Sequence, residues 1–229
     1  MKARLVDWRE IAPLTRNFVF DVPDSDRLAF VPGQFLSFTA EINEKEITRA
    51  YSVASSPNGN RFEICLNRVE DGLFSPHLFD LKRGDLLEFR GPYGAFHFRN
   101  PVGNSILVAT GTGIAPFRSM LQAQLPIDDA HEFTLIFGVR HEHGLLYRSE
   151  LDELARRYSN LRFIPTLTRP DGDWTGRTGR VQGHLIEVLG DGRDLDVYIC
   201  GLNEMVDETR GLLKSLGFER KRIIFEKYD

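Results

Sequence analysis

From residue 105 to the end of this 229-residue chain, short apolar runs alternate with helical patterns. That alternation constrains the fold more than any other feature of the sequence. SILVAT (105–110), FTLIFGVR (133–140), LRFIPTLTR (161–169), DVYICG (196–201) and RIIFEKYD (222–229) read as strands. Between them, FRSMLQAQL (117–125), LYRSELDELARRY (146–158), HLIEVLG (184–190) and MVDETRGLLKSLG (205–217) read as helices. In the first of these, Phe117, Met120, Leu121 and Leu125 recur at helical spacing. Gly217 stands where a helix commonly ends. Strand–helix alternation implies right-handed crossovers and a parallel sheet covered on both faces.

The first hundred residues have another texture. RLVDWREI, NFVFDV, QFLSFTAEI, RAYSVAS, RFEICLNRV and DLLEFRG are short runs rich in Val, Phe, Ile and Leu. Turn chemistry separates them, as at Val31-Pro32-Gly33 and Pro57-Asn58-Gly59. Six such runs predict an antiparallel barrel or sandwich. The one helix-like piece there is SPHLFDL (75–81). The fold class is therefore β plus α/β, with domains at 1–99 and 100–229 meeting near 99–104. The 17 Phe residues fall mostly in the alternating runs and read as core.

Composition excludes several classes. A net charge of −4 leaves no basic footprint for nucleic acid. No apolar run approaches the roughly 20 residues that span a bilayer, and MKARLVDWREI lacks the apolar core of a signal peptide. Cys65 and Cys200 are the only cysteines, too few for a disulfide framework or a four-thiolate cluster. The six His residues show no ligand spacing, so no metal is expected. A cytoplasmic chain is expected, and any redox centre in it would be a bound organic cofactor.

Four stretches carry candidate chemistry. In Arg49-Ala50-Tyr51-Ser52 a strand would place the Arg49 cation and the Tyr51 ring on one face, with Ser52 on the other or at its rim. That pairing suits a ligand with a phosphate and a planar ring, although, read alone, a solvated face is the plainer reading. Gly72-Leu73-Phe74-Ser75 opens the short helix, with Ser75 as an expected N-cap and a possible anion site. Gly111-Thr112-Gly113-Ile114-Ala115-Pro116 lies between a buried strand and a helix. There glycines admit a pyrophosphate and the helix N-terminus favours negative charge. The third glycine of the dinucleotide fingerprint is replaced by Pro116, in a first-turn position that tolerates it. The second parallel strand ends in Arg140 rather than an acid, which suits a ribose 2′-phosphate. Thr168, Arg169, Arg177 and Arg180 could join it, or be scattered surface residues. Cys200-Gly201 ends the fourth strand at the edge where open α/β sheets bind ligands, although a buried inert thiol is the plainer reading.

These elements, in this order, resemble the ferredoxin–NADP+ reductase family of flavoproteins. The likeness spans the chain: R-x-Y-S at 49–52, G-x-x-S at 72–75, GPYG at 91–94, GTGIAP at 111–116, CG at 200–201 and E-x-Y at 226–228. It implies an N-terminal six-stranded FAD-binding barrel and a C-terminal Rossmann-like domain for NADP or NAD. By resemblance, Arg49 pairs with the FAD pyrophosphate, Tyr51 packs on the flavin, and Ser52 hydrogen-bonds near flavin N5. The N–H groups of Phe74 and Ser75 would hold the phosphates. Thr112 and Cys200 would flank the nicotinamide, Glu226 would lie near the flavin edge, and Tyr228 would cover the ring face. Plant-type members end in an aromatic, whereas here Asp229 follows Tyr228. The implied activity passes electrons between NAD(P)H, NADPH favoured, and a separate carrier, ferredoxin or flavodoxin. The alternatives are a reductase for an oxygenase, for free flavin or for ferric complexes, or a non-catalytic docking subunit. A monomer is expected.

Overall fold

The computed structural model describes residues 1–228, so Asp229, the last residue of the expected strand 222–229, lies outside them. The chain divides into two compact units. One is Met1–Phe98 with Ala115–Ala123; the other is Arg99–Ile114 with the residues from Gln124 onward.

The first unit is a six-stranded antiparallel sheet. Its strands are β1 (Lys2–Ala12), β2 (Thr15–Asp21), β3 (Phe35–Ile42), β4 (Lys45–Ser52), β5 (Arg61–Asn67) and β6 (Leu86–Tyr93), in the order β4-β3-β6-β1-β2-β5. Alternate residues point inward, as period 2 requires: Ala3 and Leu5 on β1, Leu36 and Phe38 on β3, Leu87 and Phe89 on β6. They meet Phe18, Phe20, Phe62 and Ile64 in a core built largely of rings, with Phe20–Phe62 centroids 5.6 Å apart and Phe38–Phe89 5.9 Å. The expected barrel does not close on a continuous ladder. Its edges join at one bridge, Val53↔Ile64, and at the Ala54 N–H bond to the Glu63 carbonyl (2.7 Å). The Ala54 carbonyl is taken by the Arg118 side chain instead (2.8 Å), and the chain leaves the sheet there. The short helix α1 (Phe74–Asp80) packs Phe74, Leu78 and Phe79 into this core.

Helix α2 (Ile114–Gln124) begins three residues earlier than its apolar spacing indicates. The second unit is a parallel sheet of β7 (Ser105–Thr110), β8 (Phe133–Val139), β9 (Leu161–Leu167), β10 (Arg177–Thr178), β11 (Asp196–Leu202) and β12 (Ile223–Tyr228). Their order is β10-β9-β8-β7-β11-β12, so the sheet reverses direction of growth between β7 and β11. Helices α3 (Arg148–Arg157), α4 (Val181–Leu189) and α5 (Asn203–Ser215) connect them. β7 and β11 are buried almost throughout, which explains their unbroken apolar runs. α5 ends in a Schellman motif: Gly217 has φ +84°, Phe218 N–H bonds the Leu213 carbonyl (3.0 Å) and Gly217 N–H that of Lys214 (3.1 Å). Among the described residues no helix is long and apolar enough to cross a membrane, and no cluster of three metal-ligating side chains occurs.

Candidate functional site

In the first unit, β4 presents the candidate residues in the expected alternation. Arg49 pairs in register with Phe38 and Tyr51 with Leu36, whereas Ser52 opposes Phe35. Arg49 and Tyr51 therefore share a face. Arg49 is exposed and its guanidinium donates to the Thr48 carbonyl (2.8 Å). Ala50 is exposed beside it, and Ser52 is buried. Tyr51 packs half-buried on Phe38 and Phe74, each with ring centroids 6.1 Å away. Burial pushes its phenol up to about 12, against a smaller opposing pull from Arg49.

One expectation at 72–75 is corrected. Leu73 holds the N-cap position of α1 and no side chain caps it. Ser75 is the second helical residue, and its hydroxyl accepts a bond from the Val69 N–H (2.9 Å), tying the loop 69–75 shut. Gly72 N–H bonds the Val69 carbonyl (3.0 Å) in the same loop. A Ser so close to a helix start reads as a cap in sequence, but its hydroxyl has a nearer donor. The N–H groups of Phe74 and Ser75 stand in the first turn, where a helix offers no internal acceptor.

In the second unit the candidates gather at the carboxyl ends of the strands. Gly111–Gly113 form a single 3-10 turn after β7. A Cβ at Gly113 would lie 2.3 Å from the Cys200 carbonyl oxygen, and one at Gly201 2.3 Å from the Thr110 hydroxyl. Only glycines allow the turn to press on the end of β11. Thr112 lies between them, half-buried, and Pro116 falls in the first turn of α2. Cys200 pairs with Glu226 across β11 and β12, and Leu202 with Tyr228. Cys200, Glu226 and Tyr228 thus share one face of the sheet, while Phe225 and Lys227 turn to α5, where they meet Arg210 and Asp207. Burial raises the Cys200 thiol well above its ordinary range; Glu226 raises it further, and a hydrogen bond with Tyr228 works the other way.

The arginines divide into two groups. Arg140 and Arg169 are exposed and joined through the backbone, Arg169 N–H to the Arg140 carbonyl (2.8 Å), with Thr168 N–H on the Val139 carbonyl (3.0 Å). Neither has an ion-pair partner among the described residues. Arg177 is held by Glu187 and by His184 Nδ1 (3.2 Å), and Arg180 by Glu208 (3.0 Å).

Sequence reasoning missed three residues here. The Thr110 hydroxyl is buried without a hydrogen-bond partner among the described residues, at the mouth of the glycine turn. Its place directly before Gly111 was the available signal. His184 and Glu187 fix Arg177. The Thr178 carbonyl can only accept, so His184 Nε2 carries the proton (3.1 Å) and Nδ1 accepts from Arg177. Nothing in the linear spacing of these residues marks the pair.

The donor sets suit two nucleotides. The first unit offers a cation without a carboxylate partner, two helix-start N–H groups and an amphipathic ring, which fit the pyrophosphate and planar ring of FAD. The second offers a glycine turn with open space at Gly111, an orphaned hydroxyl and two uncommitted arginines. The fold and these sites define an oxidoreductase with one part for FAD and one for a nicotinamide nucleotide. Residues 2–98 match the oxidoreductase FAD-binding domain and residues 107–211 the oxidoreductase NAD-binding domain. The chain is 40% identical over its whole length to ferredoxin–NADP reductase B of Sorangium cellulosum, spanning 97% of that protein, and it belongs to the ferredoxin–NADP reductase family of flavoenzymes. It is 28% identical to the toluate 1,2-dioxygenase electron transfer component of Pseudomonas putida, over 99% of this chain and 67% of that one. A solved cytochrome P450 reductase of Amycolatopsis matches with a TM-score of 0.90 at 28% identity, over 99% of this chain and 69% of that one.

Proposed function

We propose that the protein passes electrons between NADPH and a ferredoxin or flavodoxin, with residues 1–99 holding FAD and residues 100–229 the nicotinamide nucleotide. The observation that carries this reading is the patch at the carboxyl edge of the parallel sheet, where Gly113, Cys200, Glu226 and Tyr228 converge beside an orphaned Thr110 hydroxyl. Bound FAD supplies the exchange between hydride and single-electron chemistry.

The chain's own residues bind, orient and shield. Arg49 and the N–H groups of Phe74 and Ser75 neutralise and anchor the FAD pyrophosphate. The Tyr51 ring, backed by Phe38 and Phe74, is a fixed platform for the isoalloxazine, and the Ser52 hydroxyl is its hydrogen-bonding neighbour. Thr112, Gly201 and Cys200 flank the nicotinamide, and Tyr228 closes over the same patch and keeps water out. Cys200 serves as a neutral, polarisable contact, since burial keeps its proton in place. Glu226 places a carboxylate beside it. Arg140 and Arg169 receive the 2′-phosphate, with Thr168 alongside. Arg177 joins them only by leaving Glu187. A cytoplasmic monomer belongs to the same reading.

The test is spectroscopic. The purified protein should show flavin absorbance or take up added FAD. NADPH should bleach it anaerobically, faster than NADH does, and oxidised ferredoxin or flavodoxin should restore the colour. A protein that never binds the pigment would end this reading. A second acceptor is favoured by the likeness to the dioxygenase component and the P450 reductase: an oxygenase system. Restoration of colour by an oxygenase ferredoxin and not by flavodoxin would select it.

A further inference from the structure

One helix face grips the backbone that follows the R-A-Y-S strand. Arg118 on α2 is 5% exposed, and its Nη1 donates both to the Ala54 carbonyl (2.8 Å) and to Glu63 Oε2 (2.7 Å). The Ser119 hydroxyl donates to the Ser55 carbonyl (2.6 Å), and Gln122 Oε1 accepts the Ser56 N–H (2.8 Å). Opposite them, β5 contributes the Glu63 N–H to the Ser55 hydroxyl (3.1 Å), and Asn17 Nδ2 donates to Glu63 Oε2 (3.1 Å). Residues 54–56 are therefore bonded on both sides, by main chain from β5 and by three side chains from α2. All of these groups lie within the first unit.

Packing alone does not call for an arginine here. A leucine or methionine fills a helix–sheet gap without taking a charge out of water, which is costly unless the charge is paired and hydrogen-bonded. Arg118 directs one N–H to a main-chain carbonyl two residues after Ser52, at the point where β4 leaves the sheet. We propose that Arg118, supported by Ser119 and Gln122, is a positioning residue that sets the exit of β4 and thereby the placement of Ser52 and Tyr51 toward the flavin. This rests on the reading of β4 as the flavin strand.

The test uses the FAD-loaded protein and three variants: Arg118→Lys, Ser119→Ala, and the double change Arg118→Met with Glu63→Gln. The double variant removes both charges together, so no carboxylate is stranded in the interior. Amide hydrogen exchange should quicken at 54–56 in each variant, and the visible circular dichroism of the bound flavin should change. Flavin reduction at saturating NADPH should slow by about tenfold in the double variant, as expected for a slightly misplaced reacting group. Its KM for NADPH should stay within about twofold, because the nucleotide's own contacts are untouched. Lysine keeps the charge and three N–H donors on one nitrogen, just as Nη1 alone serves both acceptors. Its shorter stem does not reach as far, so it should retain only part of the rate. A lower melting temperature with unchanged dichroism and unchanged saturating rate would reduce Arg118 to an anchor and overturn the proposal. A wild-type protein that takes up no flavin would overturn the reading of β4 and this proposal with it. Yellow variants with wild-type dichroism and rate would overturn this proposal alone.

Discussion

Cys200 and Glu226 face each other across the β11–β12 ladder, and the same thiol shares a hydrogen bond with Tyr228. Burial is the main reason the thiol holds its proton, and the Glu226 charge adds to it. Glu226→Gln removes the charge and leaves the burial, so the thiol should ionise at lower pH than in the wild type yet still above an ordinary cysteine. The ultraviolet absorbance of the thiolate, taken as the difference from a Cys200→Ser control, should stay low in the wild type up to about pH 9, because the buried thiol keeps its proton. In the Glu226→Gln protein the band should appear at lower pH. Superimposable pH profiles would break the link between these two side chains.

Stability at high pH follows from the same physics. Burial pushes the phenols of Tyr51 and Tyr198 up to about 12, and the Cys200 thiol above its usual range. These groups give up their protons more readily in the unfolded chain, so unfolding releases protons once the pH passes the ordinary values. Their contribution is intact below about pH 9 and is lost progressively as the pH rises toward 12. Urea midpoints measured from pH 7 to 11 should be level with respect to these groups up to about pH 9 and then fall. Tyr51→Phe should soften the fall. A midpoint that rises across that range would contradict the assignment.

The fold was largely legible because its signals are periodic. Alternation at Leu36/Phe38 and Leu87/Phe89 marks strands half-exposed to solvent, and the unbroken run SILVAT marks a strand covered on both faces. What escaped was short or polar. β10 is two residues, Arg177 and Thr178, with no apolar side chain to betray it. α4 starts at Val181, ahead of the expected His184, because Gly183 interrupts the helical pattern without breaking the helix. Where the seam between β4 and β5 ends, Arg118 takes the Ala54 carbonyl, and hydrophobic periodicity treats an arginine as a solvent-facing residue. Of the site, residues adjacent in sequence were readable as motifs, such as Arg49 with Tyr51 and Gly111 with Gly113. Partnerships made by the fold, such as Arg177 with Glu187 or Ser75 with the Val69 N–H, were not.

That division of the arginines predicts cofactor preference. Removing a charge-assisted hydrogen bond costs about 1.5–3 kcal/mol, or roughly 10- to 100-fold. Arg140→Ala and Arg169→Ala should each lower kcat/KM for NADPH by about that factor, while NADH, lacking the 2′-phosphate, should change by less than about threefold. Arg177→Ala should do little, because its guanidinium is committed to Glu187. Glu187→Gln frees Arg177 and should leave NADPH binding equal or tighter. Steady-state kinetics with both nucleotides decide the matter, and equal losses for NADPH and NADH would remove the 2′-phosphate assignment.

Gly113 offers the sharpest steric test. A Cβ there would meet the Cys200 carbonyl oxygen at 2.3 Å, its carbon at 2.6 Å and the Gly201 Cα at 2.8 Å, all of them backbone atoms that cannot rotate aside. Gly113→Ala must push the end of β11 away, at a cost of about 1–3 kcal/mol. Gly111 differs: its φ of +54° strains an alanine by about 1–2 kcal/mol, but nothing lies within 4 Å of the added carbon. Both variants should therefore melt earlier, by comparable amounts. Only Gly113→Ala should move Cys200, and with it slow flavin reduction at saturating NADPH and expose the thiol to alkylation. If Gly111→Ala slowed reduction as much as Gly113→Ala while Cys200 stayed protected in both, the pressure of the glycine turn on β11 would not be what places the thiol.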